Sequence, residues 1–254
     1  SLANFHKFLF KYQGQEKLLF SSRREIEASE QLMSKRNFII EIISSVLREI
    51  KLLDPQLISH KSFLQKLEKL VDITQNLDLS AGITIAGFGG DFGKSSTIDY
   101  PPSIPMAILE SYFFDLISFI KTEKINKRNY QGLIVHMNNF DVLLDDTKNK
   151  KKVINFFQEI RDLLQTADVY YVFLGPTHFF RDIIAPEKRI KSVFDLSPVV
   201  VKPLTKIEVI KALEERLSLL KSPDVAAPIS PFEDQVIFAL YDLYKGDIRS
   251  IMNG

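Results

Sequence analysis

The sequence lacks residues on which several kinds of chemistry depend. It contains no cysteine, which excludes disulfides, thiolate metal sites and cysteine nucleophiles, and its four scattered histidines argue against a histidine-rich metal centre. No apolar run reaches the roughly 18 residues of a membrane span, and no secretory signal peptide is visible. The net charge of +1 provides no global field that would attract nucleic acid or an anionic membrane. We therefore expect a cytoplasmic protein without a membrane partner.

Apolar runs of strand length alternate with longer segments whose apolar residues recur at helical spacing. The 254 residues, 45% of them hydrophobic, are enough for one large core or two smaller ones. We predict strands at residues 17–22, 132–137, 169–174 and 198–204. We predict helices at residues 37–53, 62–77, 106–121, 151–165, 205–221 and 231–245.

This alternation predicts an α/β fold in which a parallel sheet carries helices on both faces. The last two predicted helices follow each other without a strand between them, which indicates a small helical domain. We therefore place an α/β core at residues 1–204 and the start of a helical domain at residues 205–254. Thr205 is the predicted N-cap of the first helix in that domain, and Glu208, three residues later, completes a capping box.

Half of the ten glycines lie in one stretch, AGITIAGFGGDFGKSST at residues 81–97, which ends like a phosphate-binding loop. The Walker A pattern is G-x-x-x-x-G-K-[ST], and counting back from Gly93 places its first glycine at Phe88. The prolines of YPPSIP follow, so no helix after Lys94 directs its positive end at a phosphate. We interpret residues 81–105 as a glycine-rich insert in a hairpin or loop, away from any nucleotide site.

Polar residues follow two of the predicted strands. The first strand leads into Asn138-Asn139-Phe140-Asp141 and the second into Gly175-Pro176-Thr177, while the sequence GDIR near the end of the chain contains Arg249. In this order the motifs resemble the AAA+ ATPases of the origin-recognition/initiator type, or their relatives among the STAND signalling ATPases. The resemblance covers residues 17–254 and implies a P-loop NTPase fold, with residues 205–254 as the start of its lid.

By this resemblance the protein would bind ATP and Mg²⁺. Asn138 would hold the metal ion where the family has Asp, and Asn139 would replace the catalytic Glu. Because an amide cannot accept a proton, we expect slow or impaired hydrolysis, with Asp141 as a substitute base. Thr177 would contact the γ-phosphate as sensor 1, and Arg249 would reach the β- and γ-phosphates as sensor 2. The alternatives are a turn or capping role for Asp141 and Thr177 and a solvated surface position for Arg249.

The family's Walker A segment is missing from this chain. Residues 1–12, SLANFHKFLFKY, resemble the helix that follows it, so we expect the chain to begin just past its phosphate loop. Self-association is expected by resemblance, because such domains complete their sites between subunits. A rival hypothesis, favoured by Asn138, Asn139 and the missing loop, is a degenerate ATPase fold that acts as a protein-interaction or regulatory scaffold without nucleotide. DNA binding is not supported by the net charge of +1 or by any winged-helix segment.

Overall fold

The computed structural model describes residues 18–79, 104–144, 147–194, 198–220 and 233–244 together with Gly246. The chain divides into two compact units, residues 1–196 and 197–254, and each is described by itself. Three features of the sequence lie outside the described residues: the segment at 1–12, residues 81–103 of the glycine-rich insert, and Arg249.

The first unit is built on a sheet of four short strands. They are β1 (Leu19–Ser21), β2 (Ile26–Glu27), β3 (Gly132–Asn138) and β4 (Val169–Phe173). All of the other strands pair with β3, and every pairing is parallel. Both β1 and β2 pair with residues of β3 that also pair with β4. Since a strand has only two edges, β1 and β2 share one edge of β3 and β4 occupies the other, so β3 is the central strand.

The strand formed by β1 and β2 is interrupted by residues 22–25. Ser21 is in register with Ile134 of β3, and Ile26 is in register with Met137. Residues 22–25 therefore oppose only residues 135–136 of β3, which makes them a bulge. Bulges bend a strand and redirect its side chains, and this one turns residues 22–25 out of the regular ladder beside the end of β3. We refer to residues 22–25 as the bulge segment.

Helices surround this sheet. In the described part of the first unit they are α1 (Lys35–Leu53), α2 (Pro55–His60), α3 (Ser62–Leu79), α4 (Met106–Thr122), α5 (Phe140–Leu144), α6 (Thr147–Glu159), α7 (Arg161–Leu164) and α8 (Lys188–Lys191), with a 3₁₀ turn at Glu30–Leu32 and a π-helix at Phe180–Ile184. The predicted helices at 37–53, 62–77 and 106–121 are confirmed. The one predicted at 151–165 begins earlier, at Thr147, and is divided at Ile160, whose φ of −88° and ψ of 0° depart from ideal helical values.

Sequence signals account for where α1 begins and ends. The Ser34 hydroxyl accepts a hydrogen bond from the Asn37 amide at 3.2 Å, as an N-cap does. Asp54 ends the helix, and its carboxylate caps α2 by accepting from the Leu57 amide at 3.2 Å. The apolar face of α1 is fully buried, so packing rather than propensity provides most of its stability. Its buried apolar residues are Phe38, Ile39, Ile42, Ile43, Val46, Leu47 and Ile50.

The core lies on both sides of β3. Every residue from Gly132 to Met137 is buried, and because successive side chains point to opposite faces, both faces of the central strand are covered. Phenylalanines fill the space between the sheet and α6, with ring centroids of Phe140 and Phe179 only 4.8 Å apart. The α/β class with a parallel sheet is thus confirmed. None of the described helices is long and apolar enough to cross a bilayer.

The strand predicted at residues 198–204 is wrong, because no strand is formed there. Val199, Val200 and Val201 are exposed by 88%, 61% and 64%. Their β-branched side chains favour a strand, but that preference is realised only against a paired neighbour and a packed face. Neither is provided for these residues in the part of the chain that the structure describes.

The second unit contains α9 (Lys206–Leu220) and α10 (Asp234–Leu243), as the sequence predicts. They meet around buried Val209 and Ile237. The predicted capping box of α9 is also confirmed. The Thr205 amide donates to Glu208 Oε2 at 2.7 Å, and the Glu208 amide donates to Thr205 Oγ1 at 3.3 Å.

Candidate functional site

The carboxyl ends of the parallel strands lie along one edge of the sheet, where open α/β sheets bind their ligands. Asn138 is the last residue of β3, as expected of a residue at the carboxyl end of the central strand. Its carbonyl accepts from the Ala28 amide at 2.8 Å, and the Met137 carbonyl accepts from the Leu174 amide, also at 2.8 Å. These bonds align the ends of β2 and β4 with the end of β3, so residues that follow all three strands share this edge.

Asn138 is held by a residue that sequence reasoning missed. Its side-chain amide donates a hydrogen bond to Oε2 of Glu25, in the bulge segment. The other end of the amide, Asn138 Oδ1, is buried and has no hydrogen-bond partner among the described residues. A buried acceptor left without a donor costs roughly 1–3 kcal/mol, and such exceptions often mark sites where a ligand or water supplies the missing partner.

The bulge segment is anchored at two points. At its start, Arg23 donates its backbone amide to Glu49 Oε2 at 2.9 Å and places its Nε 3.0 Å from Glu49 Oε1. Glu49 lies on α1, with only 5% of its side chain exposed. At its end, Glu25 is bound to Asn138. Arg24 lies between these two anchors with an exposed side chain, so the backbone is fixed while one guanidinium faces solvent at this edge.

A cavity of about 20 Å³ lies beneath the bulge segment. Its polar lining comes from Ser21, Ser22, Arg24, Ser45 and His136. A cavity of this size holds a single water molecule, and it is too small for any part of a nucleotide. His136 is only 4% exposed, in agreement with its position inside the predicted strand.

Asn139 has a conformational reason to be asparagine. It connects β3 to α5 with a φ of +63°, in the left-handed region where asparagine is tolerated better than most residues. Its side chain is exposed, and so is that of Asp141 in the first turn of α5. An acidic residue there interacts favourably with the helix dipole, which accords with the turn or capping alternative for Asp141. The role of Asp141 as a substitute base stays a prediction, and so does the place of Asn139 at the position of the catalytic Glu.

Thr177 is exposed in the turn between β4 and the π-helix. The same turn contains Gly175, where an added Cβ would lie 2.8 Å from Cγ of Phe179. Gly175 is thus required for close packing on the phenylalanine core. The Phe179 amide donates to the Pro176 carbonyl at 2.8 Å and closes the turn. Short π-helical segments occur often at functional sites, but Thr177 has no phosphate-specific feature of its own.

The oxygen atoms of Glu25 and Asn138 are of the type that Mg²⁺ prefers. Among the described residues no group of three or more histidine, aspartate or glutamate side chains could hold a metal ion. A magnesium ion that arrives with a nucleotide needs only one or two protein carboxylates, because phosphates and water complete its shell. The residues at this edge therefore fit a Mg²⁺ ion whose shell a nucleotide completes, and we expect them to bind a divalent cation more weakly without one.

No protein-family model, no curated protein and no solved structure matches the chain. The case for a function thus depends on the order of the motifs in the sequence and on the geometry of this edge.

Proposed function

We propose that the first unit is the nucleotide-binding core of an AAA+ or STAND-type ATPase with a P-loop NTPase fold, which binds Mg·ATP and hydrolyses it slowly. The observation that carries the proposal is the Asn138–Glu25 pair at the carboxyl end of the central parallel strand. In this pair the Glu25 carboxylate fixes the Asn138 amide, whose oxygen has no donor among the described residues, at the edge where such sheets bind nucleotides. A cytoplasmic location and self-association belong to the same proposal.

The residues of this edge would act on a bound nucleotide in separate ways. Asn138 would hold the metal ion or its water while Glu25 fixes the Asn138 amide, and Mg²⁺ would neutralise charge on the β- and γ-phosphate oxygens. The Thr177 hydroxyl would bind the γ-phosphate, and Arg249 would add positive charge beside it. Asn139 cannot accept a proton from water, and the loss of a general base typically slows a reaction by about 10²- to 10⁴-fold.

Calorimetry with the natural full-length protein tests this proposal. We expect Asn138→Ala to weaken Mg·ATP binding about tenfold or more, as loss of a metal-orienting group typically does. Asn155→Ala is the matched control, because Asn155 is an exposed asparagine on α6. Equal affinities of the Asn138 variant and the wild type would remove the central argument.

ATP binding by residues 1–254 alone is a second test of the proposal. These residues contain no match to the Walker A pattern, so the amide cradle and lysine that bind phosphates are missing. We therefore expect weak or undetectable ATP binding by this chain. Micromolar affinity would mean that the phosphates are bound elsewhere, with the glycine-rich stretch around Lys94 as the first place to mutate.

A scaffold without nucleotide is the second candidate function. It is favoured by the conformational role of Asn139 and by three consecutive exposed valines, Val199 to Val201, since contiguous exposed apolar surface often marks protein contacts. A full-length protein that binds its partner equally well with and without Mg·ATP, and that shows no calorimetric signal with ATP, would establish this second function.

A further inference from the structure

We infer that Glu25 is a positioning residue of the candidate site, which holds the Asn138 amide so that Asn138 Oδ1 faces a divalent cation, an inference that rests on the proposed nucleotide function. Nothing in the sequence motifs assigns a role to Glu25, because it lies in the bulge segment and far from Asn138 along the chain. The expected cation is Mg²⁺ bound to a nucleotide.

The first step is the orientation of the Asn138 amide. Its nitrogen faces a carboxylate oxygen of Glu25, because the amide nitrogen can donate to a carboxylate and the amide oxygen cannot. The oxygen Oδ1 must then face the other way, where the described residues offer it no donor. A cation or a cation-bound water would supply the missing partner, and Glu25 is the group that fixes the amide for this purpose.

The second step is the choice among nearby acids. Glu25 is in direct contact with Asn138. Asp141 and Glu27 are both exposed, and neither is seen to contact Asn138 through its side chain. Glu27 is in register with Asn138, so it shares the location of Glu25 without sharing its contact. Glu27 is therefore the natural control for charge.

The third step explains why the carboxylate lies in the bulge segment and the amide lies on β3. An aspartate at position 138 would place a second carboxylate in hydrogen-bonding contact with Glu25. Two carboxylates that share a site cannot both stay ionised easily, and one of them takes up a proton. The charge therefore belongs to the bulge segment and the amide to β3. Exchanging the two groups, with Glu25→Gln and Asn138→Asp together, preserves one charge and one amide.

Electron paramagnetic resonance of free Mn²⁺, a spectroscopic substitute for Mg²⁺, measures cation binding directly. Mn²⁺ is titrated into the full-length protein with and without ATP. We expect Glu25→Gln to raise the apparent Kd for Mn²⁺ about tenfold or more. Glu27→Gln should bind Mn²⁺ as the wild type does, and the exchange variant should recover most of the loss. Circular dichroism establishes that each variant is folded.

Several outcomes would overturn the inference. The first is that the wild type binds no Mn²⁺ either with or without ATP. The second is that a folded Glu25→Gln variant binds Mn²⁺ with unchanged affinity. The third is that Glu27→Gln loses as much affinity for Mn²⁺ as Glu25→Gln does. If Glu25→Gln does not fold, the exchange variant tests the inference instead. Wild-type affinity of the exchange variant for Mn²⁺ would support the pairing of residues 25 and 138, and loss of that affinity would contradict it. ATP that fails to bind while Mn²⁺ binding depends on Glu25 would remove the proposed function and leave the cation site standing.

Discussion

At the scale of single residues, Tyr171 has a polar atom that its packing leaves without a partner. The ring is stacked on Phe173 at an interplanar angle of 5° and lies 6.2 Å from Phe38 of α1. Its hydroxyl is buried and has no hydrogen-bond partner among the described residues. Burial also raises the pKa of Tyr171 well above its ordinary value. The packing of the ring therefore stabilises the core while the hydroxyl opposes it.

We expect Tyr171→Phe to raise the free energy of unfolding by about 1 kcal/mol, because it removes an unsatisfied buried group and keeps the ring. Urea unfolding followed by circular dichroism measures the change. Tyr170→Phe is the control, since Tyr170 is 50% exposed on the neighbouring position of β4, and it should leave stability unchanged. A loss of stability in Tyr171→Phe would mean that the hydroxyl has a partner, such as an ordered water.

The same scale shows what sequence reasoning could find at the candidate site. Asn138 was predictable, because it ends an apolar run whose length marks a buried strand. Glu25 was not, because its importance comes from one contact across 113 positions of the chain. The only local signal was the charged sequence RRE, which two serines separate from the apolar run LLF and which also fits an ordinary solvent-exposed turn.

At the scale of elements, local signals predicted helices better than strands. Helix α9 carries its capping box within four residues, so its start follows from the sequence alone. The segment at 198–204 has strand propensity, but pairing depends on a neighbour that the segment itself does not specify. The bulge segment likewise depends on the register against β3, and register is a property of two strands together.

The connection between β3 and α5 yields a prediction at this scale. Because Asn139 has a φ of +63°, we expect Asn139→Ala to lower the free energy of unfolding by roughly 1 kcal/mol. Asn139→Gly should be close to neutral, since glycine adopts positive φ without steric cost. Thermal and urea unfolding of both variants measure this difference. If alanine and glycine are equally stable, the conformational explanation of Asn139 fails.

This backbone constraint bears on any test of the proposed slow hydrolysis. A glutamate at position 139 would be strained by the positive φ, as alanine would be. A double variant with Asn138→Asp and Asn139→Glu would therefore be less stable, although it would carry two additional carboxylates. The new aspartate would also meet Glu25. Single-turnover hydrolysis of the double variant is therefore informative only when it is compared at equal folded fraction, with Glu25→Gln added to relieve the repulsion.

At the scale of the whole molecule, the fold class can be predicted from local sequence patterns. The candidate site cannot, because it forms only when distant segments of the chain meet in the folded structure. Alternating apolar runs and amphipathic segments specify the parallel sheet, because both patterns are local. The site instead combines the bulge segment, the end of β3 and an anchor on α1, where Glu49 binds Arg23. No periodicity in the sequence indicates that these three segments meet.

The dependence of stability on pH is a property of the whole first unit, and Glu41 contributes to it through burial. Desolvation raises the pKa of Glu41 above its ordinary 4.5, and nearby Arg48 offsets part of the effect. With a raised pKa, the native state binds more protons than the unfolded state between the two pKa values. The contribution of Glu41 to stability is therefore most favourable below about pH 4.5 and declines as the pH rises through the native pKa.

We expect Glu41→Gln, which cannot ionise, to be more stable than the wild type at pH 7 and to lose that advantage near pH 4. Urea unfolding at both pH values measures the difference in free energy of unfolding. Glu27→Gln removes the same charge from an exposed position and separates the effect of net charge from that of burial. An advantage of Glu41→Gln that is equal at pH 4 and pH 7 would show that the gain comes from packing or hydrogen bonding, because a desolvated carboxylate must lose its penalty once it is protonated.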